Sequence, residues 1–447
     1  MANNAVMQFA DRAFLSRESL ASLEASLPAS MLALLTLGFF QSIVAYSGTF
    51  VAQYHGAGDS AMARASARAG GVIALASSAI ALIAIPPGLW ILDAIGAPPE
   101  VLSRERSYFI WMMAGGFFLL AQMAAVSYFT GIGSTKTVYR VNLAGNLLNI
   151  ALDPFFIFEN FRIPLGGESA IRLSGLGLGI SGAAAATIVS MAFQWAFLAY
   201  LMRKHKAPEI PPREMRGLIA KILRFGVPSG LYSSINVLSF TIFVFFTGKA
   251  GDLAFAVSNA CFGVNYRLIA PIEGFAIGAQ TLVGHARGRG DEGEARRLGL
   301  LTVALSVLFA AILSAAVLAA HRPIISMFIG EGFENAAEFH SLGFVLFALM
   351  AAWQVFDAAD VTLSGALKGA GDTKFVFWWM LGVAFGLWLP LVWLVSATLN
   401  TMPWLWSTMI FYVAVMCAGS LARWTRGSWK KISVIEINGK SKEIIEQ

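Results

Sequence analysis

Four polar side chains interrupt a long apolar segment, residues 130–158, at helical spacing. Asn142, Asn146, Asn149 and Asp153 follow one another at i, i+4, i+7 and i+11, which places three amides and one carboxyl on a single helix face. Such groups are costly in an apolar segment unless they face a protein interior or a water-filled cavity. The pattern indicates a substrate or ion site, and it leaves an interhelical hydrogen-bond seam open as the alternative.

A second polar stripe lies in the other half of the chain. Gln354, Asp357, Asp360, Ser364 and Lys368 follow i, i+3, i+6, i+10 and i+14. This spacing again keeps the groups near one helix face, so we expect the stripe to face inward.

Further charged and polar residues stand alone in apolar runs. Asp11 is either an interfacial end cap beside Arg12 or a member of a site. Arg267 and Glu273 share one run but lie about 9 Å apart along a helix axis, so a structural ion-pair role and exposure to a cavity both stay open. Asn236 lies in a proline-containing apolar run.

The remaining reactive residue types do not form an enzyme site. His55 and His285 lie near the ends of apolar runs, where interfacial placement is commoner than metal ligation. Cys261 and Cys417 lie within apolar runs, which argues against a disulfide framework or a metal cluster. Because no nucleophile–base pair or soluble catalytic region accompanies them, we expect no enzyme activity and no cofactor.

The elements that carry these residues are membrane spans. The chain has 57% apolar and 13% charged residues, far fewer charges than the roughly 25% of soluble domains, and a mean hydropathy of +0.67. Stretches of about 20 apolar residues recur between short loops. We predict an all-α integral membrane protein whose spans are 2–16 (partial), 25–53, 66–95, 107–130, 136–159, 176–202, 218–248, 253–285, 298–319, 339–367, 375–398 and 402–422.

The excess of basic residues follows the loops. The even-numbered connections and the C-terminal tail hold 23 of the 32 Lys and Arg residues, whereas the odd-numbered connections hold 8. This positive-inside pattern predicts a multi-pass membrane protein with a cytoplasmic C-terminus, and we expect a bacterial-type inner membrane as its location. The net charge of +6 therefore gives no indication of a nucleic-acid partner.

An internal repeat fixes the predicted architecture. Residues 49–64 match 281–296 at an offset of 232, and residues 130–138 match 368–376 at an offset of 238. Two six-span bundles follow, related by a pseudo-twofold axis along the membrane normal. We predict an N-terminal lobe at 1–203, a cytoplasmic linker at 204–217, a C-terminal lobe at 218–424 and a polar cytoplasmic tail at 425–447.

The same repeat predicts a shortened first helix. Carrying the offset of 232 back from the seventh span, which begins near Arg216, gives a start about 16 residues before Met1, so either the true start lies upstream of Met1 or a shortened first helix is real. Residues 1–10 are too short an apolar run to be a cleavable signal.

Two short motifs suggest chemistry that their surroundings contradict. Gly-x-Gly-Asp, a feature of intramembrane aspartyl proteases, occurs at 56–59, 288–291 and 369–372, but always in loops. We predict tight turns in which Gly supplies unusual backbone angles and Asp caps the next helix. GLGISG at 177–182 satisfies a dinucleotide fingerprint without a strand–helix–strand unit, so we predict a helix seam of small residues.

The whole chain resembles the multidrug and toxic compound extrusion (MATE) family of secondary transporters. The segments that carry the likeness, in this order, are VAQYHGAGD, TGIGSTK, NLLNIALDPFFIF, LGISGAAAAT, LVGHARGRGD and FDAADVTLSGALKGAGDTK. The resemblance implies a twelve-helix exporter with two six-helix lobes around a central cavity, driven by inward flow of protons or sodium.

The resemblance also implies site residues. The family's cation site in the N-terminal lobe corresponds to Asp11, Asn149, Asp153 and Thr187, and a transient sodium ion at Asp153 is one option for the coupling ion. Asp357 corresponds to an aspartate that one branch uses in the second lobe.

That branch has a glutamate where this chain has Asn236, and this departure favours the N-terminal site. We expect the second-lobe cavity to hold Asp357, Asp360, Asn236 and Glu273.

The leading hypothesis is therefore a proton- or sodium-coupled antiporter that exports organic cations or drug-like compounds and works as a monomer in the lipid bilayer. A lipid or lipid-linked saccharide flippase of the same superfamily is one alternative, although the acidic stripes argue against its basic cavity. A non-transporting truncated remnant is the other.

Overall fold

The computed structural model describes residues 2–166, 169–205, 208–329 and 335–435. Contacts divide the chain into two compact units, unit 1 with Met1–Val51 and Asp59–Gly230, and unit 2 with Ala52–Gly58 and Leu231–Gln447. The change of unit therefore falls inside a helix, after the predicted linker 204–217. Residues 206 and 207 of that linker and 436–447 of the predicted tail lie outside the described residues.

Unit 1 is built from helices and one hairpin. Its helices are α1 (Ala2–Glu18), α2 (Leu20–Ala45), α3 (Ser47–Gly56), whose end belongs to unit 2, α4 (Ser60–Ile83), α5 (Ile85–Ile95), α6 (Pro99–Ala114), α7 (Gly116–Gly131), α8 (Thr135–Ile157), α9 (Ile180–Lys204) and the first part of α10 (Pro212–Thr247). Strands β1 (Asn160–Gly166) and β2 (Ser169–Ser174) pair antiparallel after α8. The sequence patterns do not predict this hairpin.

Unit 2 continues α10 and adds seven helices. They are α11 (Asp252–Gly288), α12 (Glu292–Ala319), α13 (His321–Ser326), α14 (Ala336–Gly369), α15 (Thr373–Val383), α16 (Leu389–Thr398) and α17 (Met402–Arg426), with short 3₁₀ turns at Gly248–Ala250 and Ser428–Lys431. Its core is rich in aromatic side chains, among which Phe262 stacks on Trp406 and Trp388 on Tyr412.

Several predicted spans are not single straight helices. Spans 25–53, 66–95 and 107–130 each consist of two helices, and α6 and α7 meet at a bend of 43°. Prolines at the start of α5 explain one break, because proline suits the first turn of a helix but not its interior. Span 375–398 contains a π-helical turn at Ala384–Trp388.

Most of the helices suit a membrane. Among the described residues, nine helices are long and apolar enough to cross one, or ten if α6 and α7 form one bent span. The short α1 and the polar-striped α8 are not among them. The class of helical membrane protein is confirmed, whereas the count of twelve spans stays a prediction.

The three Gly-x-Gly-Asp copies form the predicted tight turns. The second glycine of each copy has a positive φ, with Gly58 at 79°, Gly290 at 76° and Gly371 at 97°. Asp59 and Asp291 cap the helices that follow, each accepting a backbone N–H three residues later. Asp372 differs from this prediction, because it accepts a hydrogen bond from Arg423 Nε at 2.7 Å instead.

Two copies of the repeat pack on each other within unit 2. A Cβ on Gly56 would lie 2.8 Å from the carbonyl carbon of His285, and a Cβ on Gly288 would lie 2.8 Å from that of Gln53. The ring centroids of His55 and His285 lie 5.1 Å apart. Both glycines are therefore needed for this close backbone approach.

Candidate functional site

The polar stripe of α8 faces the interior of unit 1. α8 packs against α1 and α9, and Asn146, Asn149 and Asp153 are buried, while Asn142 is half-buried. Leu147, which lies between them in the sequence, is exposed. The helical period therefore separates an exposed apolar side from a polar interior side, as the spacing predicts.

One end of the stripe is a hydrogen-bond seam. Gln122 Nε2 on α7 donates to Gln194 Oε1 on α9 at 2.7 Å and to Asn142 Oδ1 at 3.5 Å. Gly145 makes room for this seam, because a Cβ there would lie 2.5 Å from the amide carbon of Gln194. The sequence reasoning missed both glutamines, and their only signal is an uncharged amide inside an apolar span.

The other end of the stripe is a pair of carboxyl groups. Asp153 is fully buried, and when both carboxyl groups are deprotonated neither of its oxygens accepts a hydrogen bond from the described part of the chain. The group that acts on it is the Asp11 carboxyl of α1, which is close enough to interact electrostatically. A buried carboxylate without a cationic or donor partner is costly in its charged form.

Asn149 links this pair to α9. In the orientation that satisfies both ends of its amide, Asn149 Nδ2 donates to Asp11 Oδ1 at 3.0 Å and its Oδ1 accepts from Thr187 N at 3.3 Å. The Thr187 hydroxyl donates to Ala183 O within its own helix at 3.0 Å. The structure thus brings together Asp11, Asn149, Asp153 and Thr187.

Tyr108 is a further neighbour that the sequence reasoning missed. This α6 residue lies near enough to interact electrostatically with both Asp11 and Asp153. A lone tyrosine at the start of an apolar span carries no spacing signal, so only the packing of α6 identifies it.

The second stripe also faces inward. Ser420 Oγ donates to the buried Asp360 at 2.7 Å, whereas Asp357 Oδ2 is buried without a hydrogen-bond partner among the described residues. The Lys368 ammonium lies 4.0 Å from the centroid of the Tyr232 ring. This second cluster is therefore partly satisfied by its own neighbours.

The two other predicted members of the second-lobe site have solvent-accessible side chains. Asn236 and Glu273 are both exposed, although Glu273 still interacts electrostatically with Asp357. Arg267 donates to Gly263 O of its own helix at 2.7 Å. In the described part of the chain, neither Arg267 nor Glu273 forms an ion pair.

Comparison with known proteins identifies the family. The chain matches the MatE family profile over residues 1–155 and 228–394. Among curated proteins it is 28% identical over 353 residues to "Probable multidrug resistance protein NorM" of Deinococcus radiodurans, covering 75% of this chain and 73% of the relative. The protein of the same name from Rhodopseudomonas palustris is 26% identical over 418 residues, covering 86% and 84%, and that from Photorhabdus laumondii is 23% identical over 308 residues, covering 68% and 65%.

Solved structures share the fold. A transporter of the MOP superfamily from Pyrococcus furiosus, described as having a binding pocket of reverse polarity, superposes with a TM-score of 0.84 at 19% identity. A multidrug resistance MATE family transporter in an outward-facing conformation superposes with a TM-score of 0.80 at 20% identity. Each likeness covers 97% of this chain and 94% of the other.

These findings confirm the resemblance that the sequence motifs carry. The matched regions include both repeats and the stripe of α8 as far as Asp153. Members of the family are transporters and not enzymes, which agrees with the expectation from composition. Because the profile spans more than half of the chain, the protein belongs to the multidrug and toxic compound extrusion family of membrane transporters.

Proposed function

We propose that this chain is an antiporter that couples inward proton movement to the export of organic cations or drug-like compounds. The observation that carries the proposal is Asp153, which is fully buried and lies within hydrogen-bonding reach of the Asp11 carboxyl, with no N–H or hydroxyl partner among the described residues. A fully buried carboxyl group and a half-buried one beside it cannot both ionise cheaply. They therefore hold a proton while sealed from water and release it when water reaches them.

The surroundings of the pair favour a proton over sodium. A sodium ion is a hard cation that needs several oxygen ligands, as the better-studied calcium and magnesium sites do. Here Asn149 presents its N–H group to Asp11, and its oxygen is already occupied by the Thr187 backbone. A donor amide beside the carboxyl pair suits a shared proton, whereas sodium binding would require this amide to turn.

Proton binding then changes which packing is favoured. Loss of the charge removes the penalty for burying Asp153, so the protonated state favours the closed arrangement of α1, α8 and α9. A ligand shifts a two-state equilibrium by its different affinity for the two states. A cationic substrate instead binds the state in which the carboxyl groups are ionised. The proton and the substrate therefore bind alternately, which couples proton inflow to substrate efflux.

The substrate class and the orientation are part of this proposal. The NorM relatives are named as multidrug resistance proteins, and both interior stripes of this chain carry acidic rather than basic groups. The distribution of basic residues favours a cytoplasmic C-terminus, and the export of cytoplasmic compounds follows from that orientation.

The test is efflux of a cationic dye from proteoliposomes under an imposed proton gradient or an imposed sodium gradient. We expect efflux with the proton gradient and its loss in Asp153→Asn. The matched control is Asp93→Asn, because Asp93 is a half-exposed partner of Arg106 outside the stripe, and it should transport normally. Efflux driven by sodium alone would rule out the proton as the coupling ion. Normal efflux in Asp153→Asn would rule out Asp153 as part of the coupling site.

A further inference from the structure

Unit 1 contains a cavity at the ends of α1, α6 and α8 that the proposed carboxyl site does not include. Its volume is about 580 Å³. The polar side chains that line it come from the end of α1, the start of α6, the turn after α8 and the start of α9, and they include Arg17, Glu18, Ser103, Arg104, Ser107, Glu159 and Ser181. By loop parity these helix ends lie opposite the basic, predicted cytoplasmic loops.

The cavity has a fixed wall. After the hairpin the chain returns to α8, where Leu178 N donates to Phe156 O at 2.9 Å and Gly179 N to Ile157 O at 3.1 Å. Gly179 has a φ of 56°, a conformation that favours glycine. These bonds hold the start of α9 against the end of α8 and so keep the wall in place.

An ion pair ties α1 to α6 at the cavity. Arg104 Nη1 donates to the two carboxylate oxygens of Glu18 at 3.0 and 3.2 Å and to Ser22 Oγ at 2.6 Å. Partial burial alone would raise the pKa of Glu18, but hydrogen bonds from Ser22, Arg104 and Ser19 outweigh it and lower that pKa. The contact between Glu18 and Arg104 is therefore a salt bridge.

A cluster of apolar side chains lies next to the cavity and one helical turn from each carboxyl-bearing residue. Leu15, Ile157 and Ile180 are buried together in one cluster. Leu15 is one helical turn from Asp11, and Ile157 is one turn, about 6 Å, from Asp153. Ile157 and Ile180 also line the cavity, and we call this apolar part of the lining, together with Leu15, the floor of the cavity.

We propose that this cavity is the outer vestibule through which the coupling cation reaches Asp11 and Asp153, and that the Glu18–Arg104 pair is a positioning element that holds its apolar floor closed. Glu18 and Asp11 lie seven residues apart on one face of α1. A movement of α1 that breaks the Arg104 tie also shifts Leu15 and opens the floor. The inference rests on the proposed coupling site.

Chemical labelling tests the route. In a Cys261→Ala/Cys417→Ala background, we expect Ser103→Cys and Ser107→Cys to react with a membrane-impermeant thiol reagent added outside intact cells. Ser190→Cys is the control, because Ser190 is buried in α9 away from the cavity and should stay unlabelled.

A bulky reagent at position 107 should then reduce proton-driven dye efflux about tenfold, the effect of a modest added barrier, while equilibrium dye binding in detergent stays unchanged. Reaction only from the cytoplasmic side, or full efflux after complete labelling, would overturn the route. If the unlabelled parent showed no ion-driven efflux, the proposed function itself would fail, and this inference would fail with it.

Substitution of Arg104 tests the positioning role. Arg104→Gln should change the proton concentration for half-maximal efflux with little change in maximal rate, and Arg104→Lys, which keeps the charge, should restore most of the parent value. A purely structural role would lower the maximal rate and the protein yield together, and that result would overturn the assignment.

Discussion

A methyl group added at Gly182 should separate two helices beside the proposed coupling site. Gly182 of α9 packs on the backbone of α8, where a Cβ would lie 2.5 Å from the carbonyl carbon of Phe156 and 2.9 Å from the nitrogen of Ile157. Carbon atoms normally approach to about 3.5 Å, so Gly182→Ala requires α8 and α9 to part by about 1 Å. Neither contact is to a flexible side chain that could turn away.

The cost follows from this overlap. Overfilling a packed interface typically costs about 1–3 kcal/mol, while alanine is favoured over glycine in a helix by about 1 kcal/mol. The control Gly71→Ala in α4 has nothing within 4 Å of the added Cβ. It should therefore gain only the stability that alanine adds to a helix relative to glycine. The difference in the free energy of unfolding between the two variants is therefore the overlap cost, about 1–3 kcal/mol.

Two assays measure the consequences. In thermal unfolding of the purified protein in detergent, Gly182→Ala should melt several degrees below Gly71→Ala. In proteoliposomes it should also lose ion-driven efflux, because a separation of about 1 Å breaks the Asn149 contact with Thr187 N at 3.3 Å. Equal melting of the two variants, together with normal efflux by Gly182→Ala, would refute the reasoning.

Two further substitutions test the packing of unit 2. Gly288→Ala should destabilise the protein by about 1–3 kcal/mol, because its Cβ meets the Gln53 backbone. Gly278→Ala on the same helix has open space around the added Cβ and should leave the stability unchanged. Equal thermal stability of the two variants would contradict this. Trp429→Ala should lower the free energy of unfolding by about 3–5 kcal/mol, since this buried ring stacks on Trp424 near the end of α17. Replacement of the exposed Trp404 by alanine should cost far less stability in the same melting assay. Equal melting temperatures of the Trp429→Ala and Trp404→Ala proteins would contradict that packing role.

The sequence predicts features that depend on periodicity within one segment. The spacing of Asn149 and Asp153 fixes a common helix face, and apolar neighbours such as Leu147 must then face the other way, toward lipid. The turns at Gly58 and Gly290 are predictable for the same local reason, because positive φ and a capping Asp are encoded within four residues.

Features that depend on a distant partner are not predictable in this way. The Gln122–Gln194 bond joins residues 72 positions apart, and Tyr108 approaches the carboxyl pair only through the packing of α6. The capping prediction is wrong for Asp372 because Arg423, on another helix, offers a stronger charge-assisted partner. The hairpin and the vestibule likewise depend on how the turn after α8 returns to the start of α9.

The most direct test of the coupling site is proton release when substrate binds. A cationic dye is added to the purified protein in weakly buffered detergent solution, and the pH is followed in the wild type and in Asp153→Asn at equal dye occupancy. The account predicts release of protons by the wild type and none by Asp153→Asn. Equal release by both proteins would show that the proton displaced by substrate is held elsewhere, and it would contradict the assignment of the Asp11–Asp153 pair.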